Sequence, residues 1–185
     1  MKFNEHSKLV GEHAFLSASN YHWLGYTEEK LQERYLNHMA TLRGTELHDL
    51  AARHVKLGVK MPRTNRTFDA YVNDAIGYKM TPEQPLYYSP NCFGTADAIS
   101  FKNGFLRIHD LKTGETDTSM KQLMIYAALF CLEYRFAPEE LKGIELRIYQ
   151  KNDIRVLNPA PEEILDIMNK IVAFDKCIVE MQRNE

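Results

Sequence analysis

The chain has 185 residues, with 23 Lys and Arg against 25 Asp and Glu, for a formal net charge of −2. That length can bury a core without disulfides or structural metal, and the charge balance excludes a globally basic nucleic-acid coat, so any such contact must use a local patch. No apolar run approaches the roughly 20 residues of a membrane span, and the start, Met1-Lys2-Phe3-Asn4-Glu5-His6, has no signal-peptide core, which together predict a soluble, cytoplasmic protein with no membrane partner.

Ser17 or Ser19 can cap a helix running through Trp23 and Leu24 toward Leu36, with Gly25 as a possible break. Glu28 to Met39 places Leu31, Tyr35 and Met39 on one stripe, and Trp23 and Tyr35 are expected in the core. A further helix is expected over Thr41 to Leu57, with Gly44, His48, Ala51, Ala52 and Val55 near one face and Gly58 as its C-cap. A histidine in such a stripe serves as a hydrogen-bonded core residue or as a metal ligand. Arg53, Lys56, Lys60, Arg63 and Arg66 form the only basic run; a solvated loop accounts for it as readily as a phosphate contact does. Phe68 to Lys79 reads as a short helix, Pro82 and Pro85 mark a loop, and Leu86-Tyr87-Tyr88 reads as a strand.

Asn103-Gly104, between two runs of β-branched and aromatic residues, is a strong hairpin signal, because a two-residue type I′ turn needs φ > 0 at both positions. That turn sets Lys102 opposite Phe105, Ile99 opposite Ile108 and Asp97 opposite Asp110. Asp97 then shares its face with Thr95, Ile99 and Phe101, and Lys112 shares that of Asp110. Opposed like charges destabilise a strand pair, and burying them unpaired costs several kcal/mol, so the arrangement calls for a cation or a closed ion-pair network. Paired carboxylates suit hard, oxygen-binding cations, Mg²⁺ above all.

After the turn Thr113-Gly114-Glu115, a helix from about Ser119 to Tyr134 is apolar on nearly every side and is expected to be buried, with Asp117, Thr118 and Ser119 as candidate caps. Its polar exceptions, Gln122 and Tyr126, lie four apart on one face. Ile144 to Tyr149 and Ile154 to Leu157 read as strands, and a last amphipathic helix spans about Glu162 to Met181. Cys92, Cys131 and Cys177 lie far apart with no zinc spacing and read as reduced thiols. The expectation is one α/β (α+β) domain over 1–185, helical in its N-terminal segment to about residue 60. No Gly-x-x-x-x-Gly-Lys-Ser/Thr loop is present, so an ATP-driven motor is excluded.

In this order the motifs resemble those of the PD-(D/E)XK nuclease superfamily, specifically its RecB-like branch, which includes many phage exonucleases. Gly44 to His48 matches the helical Gly-x-x-x-His of that branch, Gly94 to Asp97 its Gly-x-x-Asp, Asp110-Leu111-Lys112 its Asp-x-Lys, and Gln122 to Tyr126 its Gln-x-x-x-Tyr. The resemblance implies a restriction-endonuclease-like core, a central mixed β-sheet flanked by helices. It implies that His48, Asp97, Asp110 and the Leu111 carbonyl hold Mg²⁺ or Mn²⁺, that Asp97, Asp110 and Lys112 are catalytic, and that Gln122 and Tyr126 position nucleic acid; Arg63 and Arg66 are the further candidates for phosphate contact. Some relatives bind an iron–sulfur cluster through a cysteine after Ser-x-Ser; Ser17-Ala18-Ser19 is present, but Thr27 stands about where that cysteine falls, so no cluster is expected. The expected activity is metal-dependent DNA hydrolysis, exonucleolytic, in recombination, repair or phage DNA processing, on single or double strands. The rivals are a catalytically silent module gripping DNA or a partner protein, and an RNA-directed nuclease. Without a motor, processivity would come from a recombinase, helicase or single-strand-binding partner, or from homo-oligomerisation.

Overall fold

The computed structural model describes residues 7–9, 11 and 13–183, and the chain divides into two compact units, Met1–Thr45 and Glu46–Glu185. In the first unit Ser17 caps a 3₁₀ segment, Ala18–Gly25, its side chain accepting the Asn20 N–H, and Trp23 Nε1 donates to the Ser17 carbonyl at 3.0 Å. The segment stops at Gly25, and α1 runs from Glu28 to Leu57. The two helices expected over Glu28 to Met39 and Thr41 to Leu57 are therefore one: Thr41 and Thr45 turn their hydroxyls back onto the carbonyls four residues earlier instead of breaking the helix. Tyr35, expected in the core, is about half exposed, with its ring edge-on to Phe15.

The second unit is a five-stranded mixed sheet with helices on both faces. Its strands are β1 (Thr81–Ser89), β2 (Cys92–Lys102), β3 (Phe105–Lys112), β4 (Gly143–Gln150) and β5 (Asp153–Leu157), in spatial order β1-β2-β3-β4-β5. Only β3 and β4 run parallel, as their connection through α3 (Lys121–Tyr134) requires. One face of the sheet buries Leu106, Ile108, Leu146 and Ile148 under Leu123, Ala127 and Ala128 of α3 and Ile164 of α4 (Pro161–Arg183). The other buries Ala98, Leu111 and Tyr149 against Ala51 and Val55 of α1 and Tyr71, Val72 and Ala75 of α2 (Thr67–Gly77). Gly58, in the left-handed region at φ 67°, ends α1 as expected. Helix α3 is less enclosed than its sequence suggests, leaving Ile125 and Tyr134 exposed. The three cysteines are free thiols. No helix among the described residues is long and apolar enough to cross a membrane.

The stretch holding Pro82 and Pro85 is strand, not loop. β1 is an edge strand, so only one side of its backbone is paired and a residue without an N–H donor is tolerated. The hairpin has the expected register, with Ile99 opposite Ile108 and Lys102 opposite Phe105, and Asn103 and Gly104 sit at φ 55° and 83°. A β-carbon at Gly104 would also stand 3.1 Å from Lys142 Cγ. Gly104→Ala should therefore cost about 1–2 kcal/mol, read as a lower urea midpoint at unchanged slope; an unchanged midpoint would show that the turn does not need glycine.

Candidate functional site

The expected face of Asp97 is corrected by the structure. Gly94 and Ala96 pack toward α3, and so do Ile99 and Phe101, while Ala98 lies in the opposite core with α1 and α2. Two residues on from Ala96 should be the same face; here the third is, so the alternation slips by one around Asp97. β1 has a matching irregularity: Pro82 pairs with Ala98 and Gln84 with Ala96, but Glu83 between them is unpaired and sits in the left-handed region at φ 50°. The β2–β3 ladder also stops here, at Ala98 opposite His109, one pair before Asp97 would meet Asp110.

A gap opens between the strands, and Asp97 fills its edge. Asp97 Oδ2 accepts the Leu111 N–H at 2.9 Å, so a side-chain oxygen replaces the missing ladder acceptor. Because the N–H and C=O of one strand residue point to the same side, the Leu111 carbonyl aims at this gap too. His48, from the last turns of α1, brings Nδ1 to 3.3 Å from the same Asp97 oxygen. Ligand atoms of His48, Glu83 and Asp97 all lie within 4.8 Å of one another. The sequence reading missed Glu83, because with residues 82–85 taken as a loop nothing placed it across from Asp97; its one signal is an acid flanked by turn-prone prolines. Extending β1 back to Thr81 would have found it.

Asp110 is only 1 % exposed. Lys112 Nζ lies 3.0 Å from its Oδ2, while Oδ1 has no hydrogen-bond partner among the described residues. Burial first, and then the Asp97 charge, push the Asp110 carboxyl up to about 6, against the pull of Lys112. Glu83 is raised by burial and by Asp97, and His48 is raised chiefly by its hydrogen bond to Asp97. Among the described residues Lys112 is the only Lys or Arg in ion-pair contact with any of these acids.

The ammonium continues into α3. Lys112 Nζ donates to Gln122 Oε1 at 2.9 Å, and Gln122 Nε2 to the Tyr126 hydroxyl at 3.0 Å. Gly94 makes room for that tyrosine, since a β-carbon there would stand 2.9 Å from Tyr126 Cε1. His48, Glu83 and Asp97 thus form one group, tied to β3 through the Leu111 N–H, and Asp110, Lys112, Gln122 and Tyr126 form a chain of contacts from the same end of β3; the two are related by the effect of the Asp97 charge on Asp110. Arg63 and Arg66 belong to neither: Arg66 is the N-cap residue of α2, Arg63 lines a cleft with Asn73 and Asp74, and neither forms an ion pair among the described residues.

Two carboxylates and an imidazole, from Glu83, Asp97 and His48, lie close enough to share one ion; Asp110 is outside that group, but its orphaned Oδ1 and the raised Asp110 and Glu83 carboxyls are the electrostatic deficit a divalent cation would fill. The residues fit such an ion. The chain matches no protein-family model and no curated protein.

The two strand acids should respond differently to substitution. Asp110, with a folded pKa near 6 against about 3.9 unfolded, favours the native state when protonated, so its contribution is lost as pH rises between those values. In metal-free buffer the melting temperature of the parent minus that of Asp110→Asn should fall from pH 4 to pH 6, roughly, and stay level above; a difference flat across that window would remove the case for a strained Asp110. The His48 pair with Asp97 works at higher pH, its stability full below about 6.5 and lost as pH rises through the raised folded value. Asp97→Ala should destabilise at every pH in metal-free buffer, because the buried Leu111 N–H loses its acceptor.

Gly94→Ala should be destabilising by about 1–3 kcal/mol. Combined with Tyr126→Ala it should cost far less than the sum, as a double-mutant cycle by urea unfolding would read. Strict additivity would mean that the ring does not set the need for glycine.

Proposed function

We propose that this chain is a divalent-metal-dependent deoxyribonuclease with a restriction-endonuclease-like core of the RecB-like kind. The observation that carries the reading is that His48 and Asp97, tied to the Leu111 N–H, lie beside the chain of contacts from Asp110 through Lys112 and Gln122 to Tyr126, so that residues of four separate sequence motifs meet at one end of β3. His48, Glu83, Asp97, Asp110 and the Leu111 carbonyl would hold the cation, Mg²⁺ or Mn²⁺. When bound, that cation supplies Lewis acidity and charge neutralisation for phosphodiester hydrolysis.

The chain's own residues do the rest. Lys112 is held between Asp110 and Gln122, so its ammonium is fixed at the site's edge without reorganisation as charge grows on the phosphate oxygens. In the reaction a water oxygen forms the new bond to phosphorus as the bond to the leaving sugar oxygen breaks; the attacking water gives up a proton to solvent, and the sugar oxygen takes one from solvent. Gln122 donates to the Tyr126 oxygen, which leaves the tyrosine proton free to bond a phosphate oxygen. Exonucleolytic cutting in recombination, repair or phage DNA processing is the setting this chemistry suits, with a recombinase, helicase or single-strand-binding protein, or further copies of the chain, supplying processivity.

A panel of linear, nicked, circular and single-stranded DNAs with Mg²⁺ or Mn²⁺, with and without chelator, tests the reading. Lys112→Ala should slow single-turnover cleavage on the order of 10²–10³-fold with DNA affinity in Ca²⁺ nearly unchanged. His48→Ala should instead weaken metal binding, so that added Mn²⁺ partly restores the rate. DNA binding without cleavage by the parent would transfer the fold to the catalytically silent module, and cleavage by Lys112→Ala at the parent rate would reduce Lys112 to an ion-pair partner.

A further inference from the structure

At the end of α3 remote from Gln122 the sheet and helix leave an open cleft of about 420 Å³. Phe101, Phe130, Tyr134 and Phe136 line it, with Phe101 5.1 Å from Phe130 and 5.0 Å from Phe136 between ring centres. Phe130 is buried and anchors the group, whereas Phe101 is 39 % and Tyr134 50 % exposed. Lys79 and Lys102 also line the cleft, no carboxylate does, and neither lysine forms an ion pair among the described residues. Two solvent-facing rings, Phe101 and Tyr134, each packed on Phe130, beside two unneutralised ammonium groups match one ligand chemistry closely, a flat apolar ring linked to a phosphate.

The cleft also adjoins the acid cluster. Thr81 and Gln84 line it, and Glu83, between them in sequence, belongs to the cluster. From Asp97 to Phe101 is four strand residues, about 13 Å, and from Tyr126 to Tyr134 eight helical residues, about 12 Å. Both measures separate cleft and cluster by the span of a few nucleotides. In a duplex the base faces are covered by their neighbours, so only an unpaired base can lie on these rings.

We propose that this cleft is a stacking site for unpaired DNA, in which a base lies against Phe101 and Tyr134 and its phosphates meet Lys79 and Lys102, so that the substrate of the neighbouring site is a strand single-stranded on this side of the cut. The inference rests on the nuclease reading for its connection to cleavage, but its test is binding alone.

Affinity for a fluorescent oligo-dT in Ca²⁺ is measured alongside an abasic strand of equal length and a blunt duplex. Tyr134→Ala and Phe101→Ala should each raise the oligo-dT Kd about tenfold, leaving the abasic strand and the duplex unaffected. Lys79→Ala and Lys102→Ala should each lower the salt slope by about 0.7. Phe101 is packed against two other rings, so its variant is scored only if its melting temperature is retained; the half-exposed Tyr134 decides otherwise. Oligo-dT affinity unchanged in Tyr134→Ala, no oligo-dT binding by the parent, or an abasic strand bound as tightly as oligo-dT would overturn the proposal. Cleft-dependent binding without any hydrolysis would end the nuclease reading and leave this one standing; metal-dependent cleavage with unaltered binding in all the variants would do the reverse.

Discussion

Everything at the site depends on a hydrogen bond that the sheet does not make with its own backbone. Where β2 parts from β3, the Leu111 N–H would be orphaned in the interior, and the Asp97 carboxylate accepts it instead. That substitution fixes the carboxylate to the frame of the sheet, and His48 is then drawn onto the same oxygen from another layer of the fold. Asp110 is held by no comparable bond. It is buried by its neighbours and has only the Lys112 ammonium against it. Two acids that look equivalent in the sequence are thus physically unlike: one is part of the scaffold, and the other is a charge kept in an unfavourable place.

The reverse face of β3 carries a second buried polar cluster, one whose charges balance. His109 is fully buried, and burial together with Arg147 and Arg107 brings its pKa down to about 3, so it is neutral and hydrogen-bonds Tyr149 at 3.2 Å through Nδ1. Tyr149 donates to Asp74, Arg147 pairs with Asp74, and Glu145 lies between Arg107 and Arg147. There the formal charges are matched, two carboxylates against two guanidinium groups, although Arg107 Nε, His109 Nε2, Glu145 Oε1 and Arg147 Nε lack a hydrogen-bond partner among the described residues. Where β2 parts from β3, by contrast, three carboxylates, Glu83, Asp97 and Asp110, have one ammonium in ion-pair contact with them. Such a local imbalance of charge is expected of a site that binds charge rather than one that only stabilises.

Much of this was legible in the sequence where short-range rules operate. Asn103-Gly104 dictated its turn, and with it the register from Lys102 to Ala98. The small-residue face of α1 does turn His48 toward the sheet, and the polar pair Gln122 and Tyr126 stood out on an apolar helix and proved to be hydrogen-bonded to each other. The failures come from long-range effects. Strand alternation cannot anticipate a slip of phase, because the slip at Asp97 is coupled to the bend at Glu83 on a different strand. Prolines 82 and 85 read as loop because sequence does not say which strand will be outermost. Exposure of Tyr35, Ile125 and Tyr134 likewise depends on what else covers a helix, which its own periodicity does not contain.

The outermost position of β1 has a consequence for how the protein behaves in company. An unpaired strand edge is a template on which another chain can add, and a five-stranded sheet has two of them. On one, Pro82 and Pro85 remove donors and Glu83 bends the backbone; on the other, β5 is five residues long and bears Asp153 and Arg155. Neither edge offers a flat, regular row of amides. The same kink that creates the acid cluster therefore also protects the fold from cross-β growth, so a substitution that straightened β1 at Glu83 would trade that cluster for a nucleus of aggregation.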